Sequence, residues 1–124
     1  MKISKYSTQF IDKLDFVSIK KTLKSKNLSQ GESVIKFENE LSKFTKSKYS
    51  LSLNSATSAL HVACLCMDLK KNDIVWTTPI SFVSSANCAL YCQSKIDFVD
   101  IDLSTFNISI EKLREKLSYA NIKK

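Results

Sequence analysis

Residues 54–58, with the sequence NSATS, place small polar side chains at a position that suits phosphate binding. They follow the β-type run 49–53 and lead into the apolar segment 58–69. In an alternating α/β fold such a corner lies at the carboxyl edge of the sheet, where free backbone N–H groups and the helix dipole attract anions. The hydroxyl groups of the corner can add hydrogen bonds with little bulk. The alternative is ordinary helix N-capping, for which Ser, Thr and Asn are the commonest residues.

A second corner of the same kind follows the apolar segment 74–77. Pro79 interrupts the chain after this predicted strand, and Phe82 stands at the start of a helix predicted over about residues 81–91. The carboxyl ends of parallel strands meet at one edge of a sheet. Phe82 is therefore expected beside residues 54–58, where its aromatic ring would form a flat surface next to the phosphate loop. Taken alone, a Phe at such a position is more often a core residue.

Hydrophobic periodicity predicts two helices ahead of these corners. The first is amphipathic and extends over about residues 12–25. The second runs to about Phe44, and Ser29 with Glu32 gives its start the S-x-x-E pattern of a capping box.

From residue 49 onward, predicted strands and helices alternate three times. Segment 49–53 is the first strand, and segment 58–69 is a helix so apolar that both are expected to be interior. The remaining elements are a strand over 74–77, a helix over 81–91, a strand over 96–101 and a final helix capped by Ser109. This order, two leading helices followed by βαβαβα, predicts an α/β fold with a mostly parallel sheet.

Length and charge limit the possible classes of protein. The chain has 124 residues, of which 44% are hydrophobic, as expected for one globular domain. No apolar run approaches the ~18 to 20 residues that span a bilayer, and no signal-type segment opens the sequence, so a cytoplasmic protein without membrane attachment is expected. The net charge of +7 comes from dispersed lysines, 11 of them within residues 1–50. A solvated face or a small anionic substrate explains this pattern better than nucleic acid.

The four cysteines, Cys64, Cys66, Cys88 and Cys92, lie in apolar helical segments without turn glycines. Structural zinc sites usually place C-x₂₋₄-C on a tight turn, so no metal site is expected and buried free thiols are favoured. Free thiols suit a reducing compartment.

Four segments of this chain, in order and spacing, resemble the opening part of the pyridoxal-phosphate-dependent sugar aminotransferases of the DegT/DnrJ/StrS family. The segments are NLSQGESVIKFENEL, NSATSALH, TTPISFVSSAN and IDFVDIDLSTFNIS. The resemblance covers nearly the entire chain. It implies the fold-type I architecture, with residues 1–124 as an incomplete N-terminal portion of the large domain.

The resemblance also implies roles for individual residues. Ser55, Ala56 and Thr57 would hold the phosphate of pyridoxal 5'-phosphate through backbone amides and the Thr57 hydroxyl, and Phe82 would stack on the pyridine ring. Ala56 departs from many relatives, which have Gly there, so this turn must avoid positive φ.

The segment that contains Leu28, Gln30 and Gly31 would lie near the sugar of the substrate. The resemblance further implies a homodimer that moves an amino group, from glutamate, to a UDP-linked 4-keto sugar.

The lysine that family members use to bind the cofactor covalently has no counterpart in this sequence, and Lys123 and Lys124 stand in no matching motif. No catalytic residue is therefore assigned, and the 124 residues alone are expected to be inactive. In the implied fold the first strand lies far from the other two, so strand 49–53 would lack its neighbours. Two other interpretations stay open at this point: a non-catalytic module for interaction or dimerisation, and a small basic nucleic-acid binder.

Overall fold

The computed structural model describes residues 7–120, and the chain divides between Ser52 and Leu53 into two compact units. The first unit contains helices α1, Lys13–Leu23, and α2, Glu32–Thr45. Five elements follow in the second unit: α3, Ala56–Cys66; β1, Ile74–Thr77; α4, Ser84–Tyr91; β2, Lys95–Phe98; and α5, Ile110–Tyr119.

Helix α1 begins with a reciprocal cap. The Asp12 carboxylate accepts hydrogen bonds from the N–H groups of Leu14, at 2.7 Å, and Asp15, at 3.3 Å. The Asp15 carboxylate in turn accepts the N–H of Asp12 at 2.9 Å. Two of the backbone donors that a helix start leaves unpaired are thereby satisfied, so the first helix begins where the periodicity predicted it.

Helix α2 begins differently from the prediction. Its N-cap is Gly31, which makes no side-chain capping bond, so the capping box predicted for Ser29 and Glu32 is wrong. The reason is the backbone of Gln30, whose φ of 51° is left-handed and cannot belong to the first turn of a right-handed helix. Glu32 therefore occupies the first helical position instead of the third.

A β1-α4-β2 crossover forms the centre of the second unit. The two strands pair in parallel, from Ile74 opposite Lys95 to Thr77 opposite Phe98. Helix α4 packs on both strands, and α3 packs on α4. The buried side chains of this unit are Cys64, Ser84, Cys88, Ala89, Ser94, Val99 and Ile101. Strand, helix and strand thus follow the predicted α/β order.

The strand predicted over residues 49–53 is not formed. A strand requires backbone hydrogen bonds to a neighbouring strand, and within residues 7–120 this segment has none. The last strand ends at Phe98 instead of Ile101, because β1 ends at Thr77 and no other strand of the described residues lies beside the segment after Phe98. Ile101 instead forms an isolated antiparallel bridge with Ile108.

Two helices have bounds that differ from the prediction. The Ser55 hydroxyl caps α3, which therefore starts two residues early, and the left-handed Asp68 follows its early end at Cys66. Helix α4 starts three residues late, at Ser84, because Phe82 and Val83 form a preceding turn.

The apolar helix α3 is not interior within the described chain. Only Cys64 is buried, while Leu65 is 56% exposed, because α4 covers a single face of the helix. The prediction of an interior helix is therefore wrong for this chain by itself. A parallel sheet normally has both of its faces covered. Exposed apolar surface of this kind is typical of an interface with another part of a protein.

Helix α5 is fastened to the sheet by Lys116. Its Nζ lies 2.6 Å from the carboxylate of Asp97, donates to the carbonyl oxygen of Phe98 at 2.6 Å, and lies 5.4 Å from the centre of the Trp76 ring. The hydrogen bond from Lys116 holds the pKa of Asp97 below its usual value. This contact fixes the helix against the carboxyl end of β2.

The cysteines are free thiols, as predicted, but only Cys64 and Cys88 are buried. Burial, followed by the hydrogen bond to the Cys88 thiol, raises the pKa of Cys64 to about 11. Cys66 is exposed, which contradicts the prediction that it is buried, because it lies on the uncovered face of α3.

We expect the thiols to differ in reactivity. At pH 8 Cys64 should react with a maleimide about a hundredfold more slowly than Cys66, since both access and the thiolate fraction are reduced. Peptide mass spectrometry over a time course measures both rates, with Cys66→Ser as the control that removes the fast site. Equal rates at the two positions would show that α3 does not pack on α4.

We also expect the isolated chain to self-associate at micromolar concentration, because large apolar side chains are exposed on α1, α2 and α3. Size-exclusion chromatography with light scattering measures the mass directly. A sharp monomer peak together with cooperative unfolding would contradict this expectation.

Candidate functional site

The corner at residues 54–58 forms the start of α3. Ser55 is the N-cap residue, and its Oγ accepts the N–H of Ser58 at 3.1 Å. The two serine hydroxyls lie 3.0 Å apart. Ser55 therefore acts as a helix cap, as the alternative interpretation of the sequence required, and its side chain is already engaged within the corner.

Ala56 and Thr57 leave donors free at the same helix start. Within residues 7–120 their backbone N–H groups have no acceptor, and the Thr57 hydroxyl has no hydrogen-bond partner. Ala56 is exposed and Thr57 is half-buried. Two free amides, one hydroxyl and the positive end of an eleven-residue helix are the donor set that suits a phosphate. Capping by Ser55 and phosphate binding by Ala56 and Thr57 are compatible because they use different groups.

The backbone at Ala56 is right-handed. Ala56 is the first residue of α3 and is not among the residues with positive φ, so the corner does not require a glycine there. The expectation that this turn avoids positive φ is confirmed.

Phe82 lies at the carboxyl edge of the two strands, in the loop between β1 and α4. It lines a cavity of about 200 Å³ together with Thr78, Pro79, Ser81, Val83, Ser85, Ala86 and Phe98. Phe82 is 72% exposed, so within the described chain it is a surface aromatic and not a core residue. Phe98, at the end of β2, is a second aromatic side chain at this cavity and was not among the predicted site residues. Its place at the end of a strand parallel to β1 is the signal that could have identified it.

The structure brings these two parts of the predicted cofactor site only partly together. Both lie in the second unit, and α3, which begins at the corner, packs on α4, which follows Phe82. The cavity beside Phe82 is not lined by residues 54–58, however, and between residue 7 and that corner the structure shows no strand. That the corner and Phe82 face one cofactor stays a prediction.

The predicted substrate segment lies in the first unit, directly before α2. Leu28 and Gln30 are exposed, whereas Gly31 is buried. A Cβ atom at Gly31 would lie 2.2 Å from the carbonyl oxygen of Asn27, so this position needs glycine for space and not for its φ of −82°. Gly31 can therefore shape the segment, but it offers no side chain to a ligand. A cavity of about 370 Å³ beside the segment is lined by Ser25, Lys26, Asn27 and Glu32.

Two further findings concern the whole of the described chain. Among residues 7–120 no group of three or more His, Cys, Asp or Glu side chains is arranged to hold a metal ion. Over the same residues no helix is both long enough and apolar enough to cross a bilayer.

Comparison with known proteins identifies relatives over almost the whole chain. The profile of the DegT/DnrJ/EryC1/StrS aminotransferase family matches residues 9–120. The UDP-4-amino-4,6-dideoxy-N-acetyl-beta-L-altrosamine transaminase of Campylobacter jejuni (strain 81-176) is 41% identical over 112 residues, which cover 90% of this chain and 29% of the relative.

Solved structures agree with the sequence relatives. Helicobacter pylori PseC, an aminotransferase involved in the biosynthesis of pseudoaminic acid, superposes with a TM-score of 0.80 at 36% identity, over 90% of this chain and 30% of its own. A GDP-4-keto-6-deoxymannose-3-dehydratase with a trapped PLP-glutamate geminal diamine gives a TM-score of 0.81 at 28% identity, over 87% of this chain and 30% of its own.

These comparisons confirm the predicted fold class. The structural neighbours include sugar aminotransferases of the fold-type I architecture, and the chain spans about 29% of the length of the C. jejuni transaminase and 28% of a spore coat polysaccharide biosynthesis protein of Bacillus subtilis. The match of the family profile over residues 9–120 and the shared fold show that this chain belongs to the DegT/DnrJ/EryC1/StrS aminotransferase family.

Proposed function

We propose that residues 1–124 form the N-terminal portion of the large domain of a pyridoxal 5'-phosphate-dependent sugar-nucleotide 4-aminotransferase. The complete enzyme transfers an amino group, from glutamate, to a UDP-linked 4-keto-6-deoxy sugar in the synthesis of pseudaminic acid or a related surface glycan. The observation that carries this proposal is the start of α3, whose free amides and Thr57 hydroxyl form a set of donors that suits a phosphate. This helix start lies within the residues that match the aminotransferase family. The names of the C. jejuni and H. pylori relatives support this substrate class.

The residues of the corner bind and orient the cofactor. The N–H groups of Ala56 and Thr57 and the Thr57 hydroxyl donate to the phosphate, while Ser55 keeps the first turn closed by accepting the N–H of Ser58. A phosphate held in this way fixes one end of the cofactor, so that its reactive end meets the substrate in a constant geometry.

Phe82 supports the flat face of the pyridine ring. An exposed aromatic side chain at the carboxyl edge of β1 presents the surface needed for offset stacking. The bound cofactor supplies the electron sink for carbon–nitrogen chemistry, and the ring's orientation decides which bond is activated.

The segment from Leu28 to Gly31 contacts the sugar. Leu28 and Gln30 present exposed side chains, and Gly31 keeps the backbone close to Asn27. In this proposal the complete enzyme works as a cytoplasmic homodimer.

The 124 residues alone lack the lysine that binds the cofactor covalently and moves the substrate proton. The terminal Lys123 and Lys124 lie outside the described residues. No residue of the chain is therefore assigned a catalytic role. The second candidate is a non-catalytic module for dimerisation, which the exposed apolar surface of α1, α2 and α3 favours.

The activity is tested by completing the enzyme. Residues 1–124 are joined to the remaining portion of the C. jejuni transaminase and assayed with a UDP-linked 4-keto sugar and glutamate. The joined protein should form amino sugar, and the 124 residues alone should form none. A folded joined protein without turnover would contradict the proposed activity, and turnover by the 124 residues alone would contradict the assignment of their role.

The cofactor contacts are tested in the same joined protein. Thr57→Ala removes a hydrogen bond to a charged phosphate and should weaken cofactor binding by about 1.5 to 3 kcal/mol, roughly 10- to 150-fold. Thr57→Ser keeps the hydroxyl and serves as the control. Wild-type affinity in Thr57→Ala, measured by cofactor absorbance, would mean that the corner is only a helix cap.

Phe82→Ala should weaken cofactor binding by roughly 2- to 12-fold and also lower kcat, because stacking is lost and the ring tilts. Phe106→Ala, at an exposed Phe in the loop before α5, is the matched control and should change neither quantity. Unchanged affinity and kcat in Phe82→Ala would remove Phe82 from the site.

A further inference from the structure

Glu38, near the middle of α2, makes the most specific side-chain contact of the first unit. Its Oε1 accepts the backbone N–H of Ser52 at 2.7 Å and the Ser52 hydroxyl at 2.8 Å. Fourteen residues separate the two partners in sequence, and the contact is partly buried. The other side-chain hydrogen bonds described on α2 are exposed and join residues at most four apart in sequence: Lys43 donates to Glu40, Thr45 donates to the Leu41 carbonyl, and the hydroxyls of Thr45 and Ser47 lie 2.9 Å apart.

The contact between Glu38 and Ser52 involves a charged carboxylate and fixes the backbone at Ser52. The hydrogen bond from the Ser52 N–H, and to a smaller extent the one from its hydroxyl, lowers the pKa of Glu38, so the carboxylate is ionised at neutral pH. Two hydrogen bonds on one carboxylate oxygen hold Ser52 in one orientation. Segment 49–53 has no backbone partner within residues 7–120, so the Glu38 carboxylate supplies the fixed point that a strand ladder would otherwise provide.

Ser52 stands three residues before Ser55, the cap of α3. A backbone fixed at Ser52 leaves only Leu53 and Asn54 free to vary before the corner begins. Because the chain is continuous, holding Ser52 reduces the number of conformations that residues 53–57 can adopt.

We propose that Glu38 is a positioning residue for the cofactor phosphate: by holding Ser52 it pre-organises the chain that enters the Ser55–Thr57 corner. This inference rests on the proposed function and adds to it a residue that touches neither cofactor nor substrate. If the corner is correctly formed for only part of the time, the apparent Kd for a phosphate ligand rises in inverse proportion to that fraction.

The test uses the protein that joins residues 1–124 to the remaining portion of the C. jejuni transaminase, freed of cofactor, and two probes, pyridoxamine 5'-phosphate and pyridoxamine, which lack the aldehyde that would label surface lysines. Glu38→Ala should raise the Kd for pyridoxamine 5'-phosphate by about fivefold, as expected if the formed fraction falls to about a fifth. Pyridoxamine, which has no phosphate, should bind all variants equally. Glu38→Gln keeps an acceptor oxygen and should restore the affinity to within about twofold of the wild type.

Two further variants make the outcome decisive. Glu40→Ala removes an acidic residue of the same helix, which among the described residues pairs with the exposed Lys43 alone, and should leave the Kd unchanged. Ser52→Ala removes one of the two hydrogen bonds and should raise the Kd by about twofold, and it replaces Glu38→Ala if that variant does not fold.

Binding by the wild type with an unchanged Kd in both Glu38→Ala and Ser52→Ala would overturn this inference and leave the proposed function standing. Equal weakening of both probes would also overturn it, because the contact would then serve general stability. Failure of the wild type to bind pyridoxamine 5'-phosphate would overturn both proposals.

Discussion

The first turn of any α-helix leaves backbone N–H groups without partners, and the candidate site depends on this constraint. At the start of α3 the Ser55 side chain satisfies the N–H of Ser58 and leaves those of Ala56 and Thr57 available. A larger side chain at these positions would cover the two amide donors. Replacing Thr57 by a residue without a hydroxyl would remove the third donor. The small polar sequence of the corner closes the helix start through Ser55 and leaves the amides of Ala56 and Thr57 uncovered, as the proposed phosphate site requires.

The second constraint is the geometry of a parallel sheet. Parallel strands need a crossover between them, and here α4 supplies it, which places the Phe82 loop and the end of β2 at one edge. Lys116 then fixes the carboxyl end of β2 through Asp97 and the carbonyl of Phe98. Within residues 7–120 a single face of α3 is covered, and the remaining apolar surface agrees with a chain that spans 29% of the length of the C. jejuni transaminase.

Local signals in the sequence predicted most of the elements. Strand β1 was predicted with its observed bounds, and Ser109 caps α5 as expected, because both depend on residues close in sequence. The predicted strand over residues 49–53 does not form, because a strand needs a second segment to pair with and residues 7–120 provide none for it. The capping box predicted at Ser29 does not form, because the left-handed backbone of Gln30 moves the helix start. A left-handed conformation at a residue other than glycine is uncommon and is rarely predictable from sequence. The corner at residues 54–58 was predictable as a helix start, whereas the hydrogen bonds from Ser52 to Glu38 depend on folding that periodicity does not describe.

Phosphate binding at the start of α3 can be measured by backbone NMR of the ¹⁵N-labelled chain titrated with inorganic phosphate. Phosphate carries no ring and no aldehyde, so it reports on the anion site alone. We expect saturable chemical-shift changes at the amides of residues 56 and 57 that are larger than those at the starts of α2 and α5, and we expect Thr57→Ala to reduce them. Equal shifts at all helix starts, or shifts confined to residues near lysines, would contradict it.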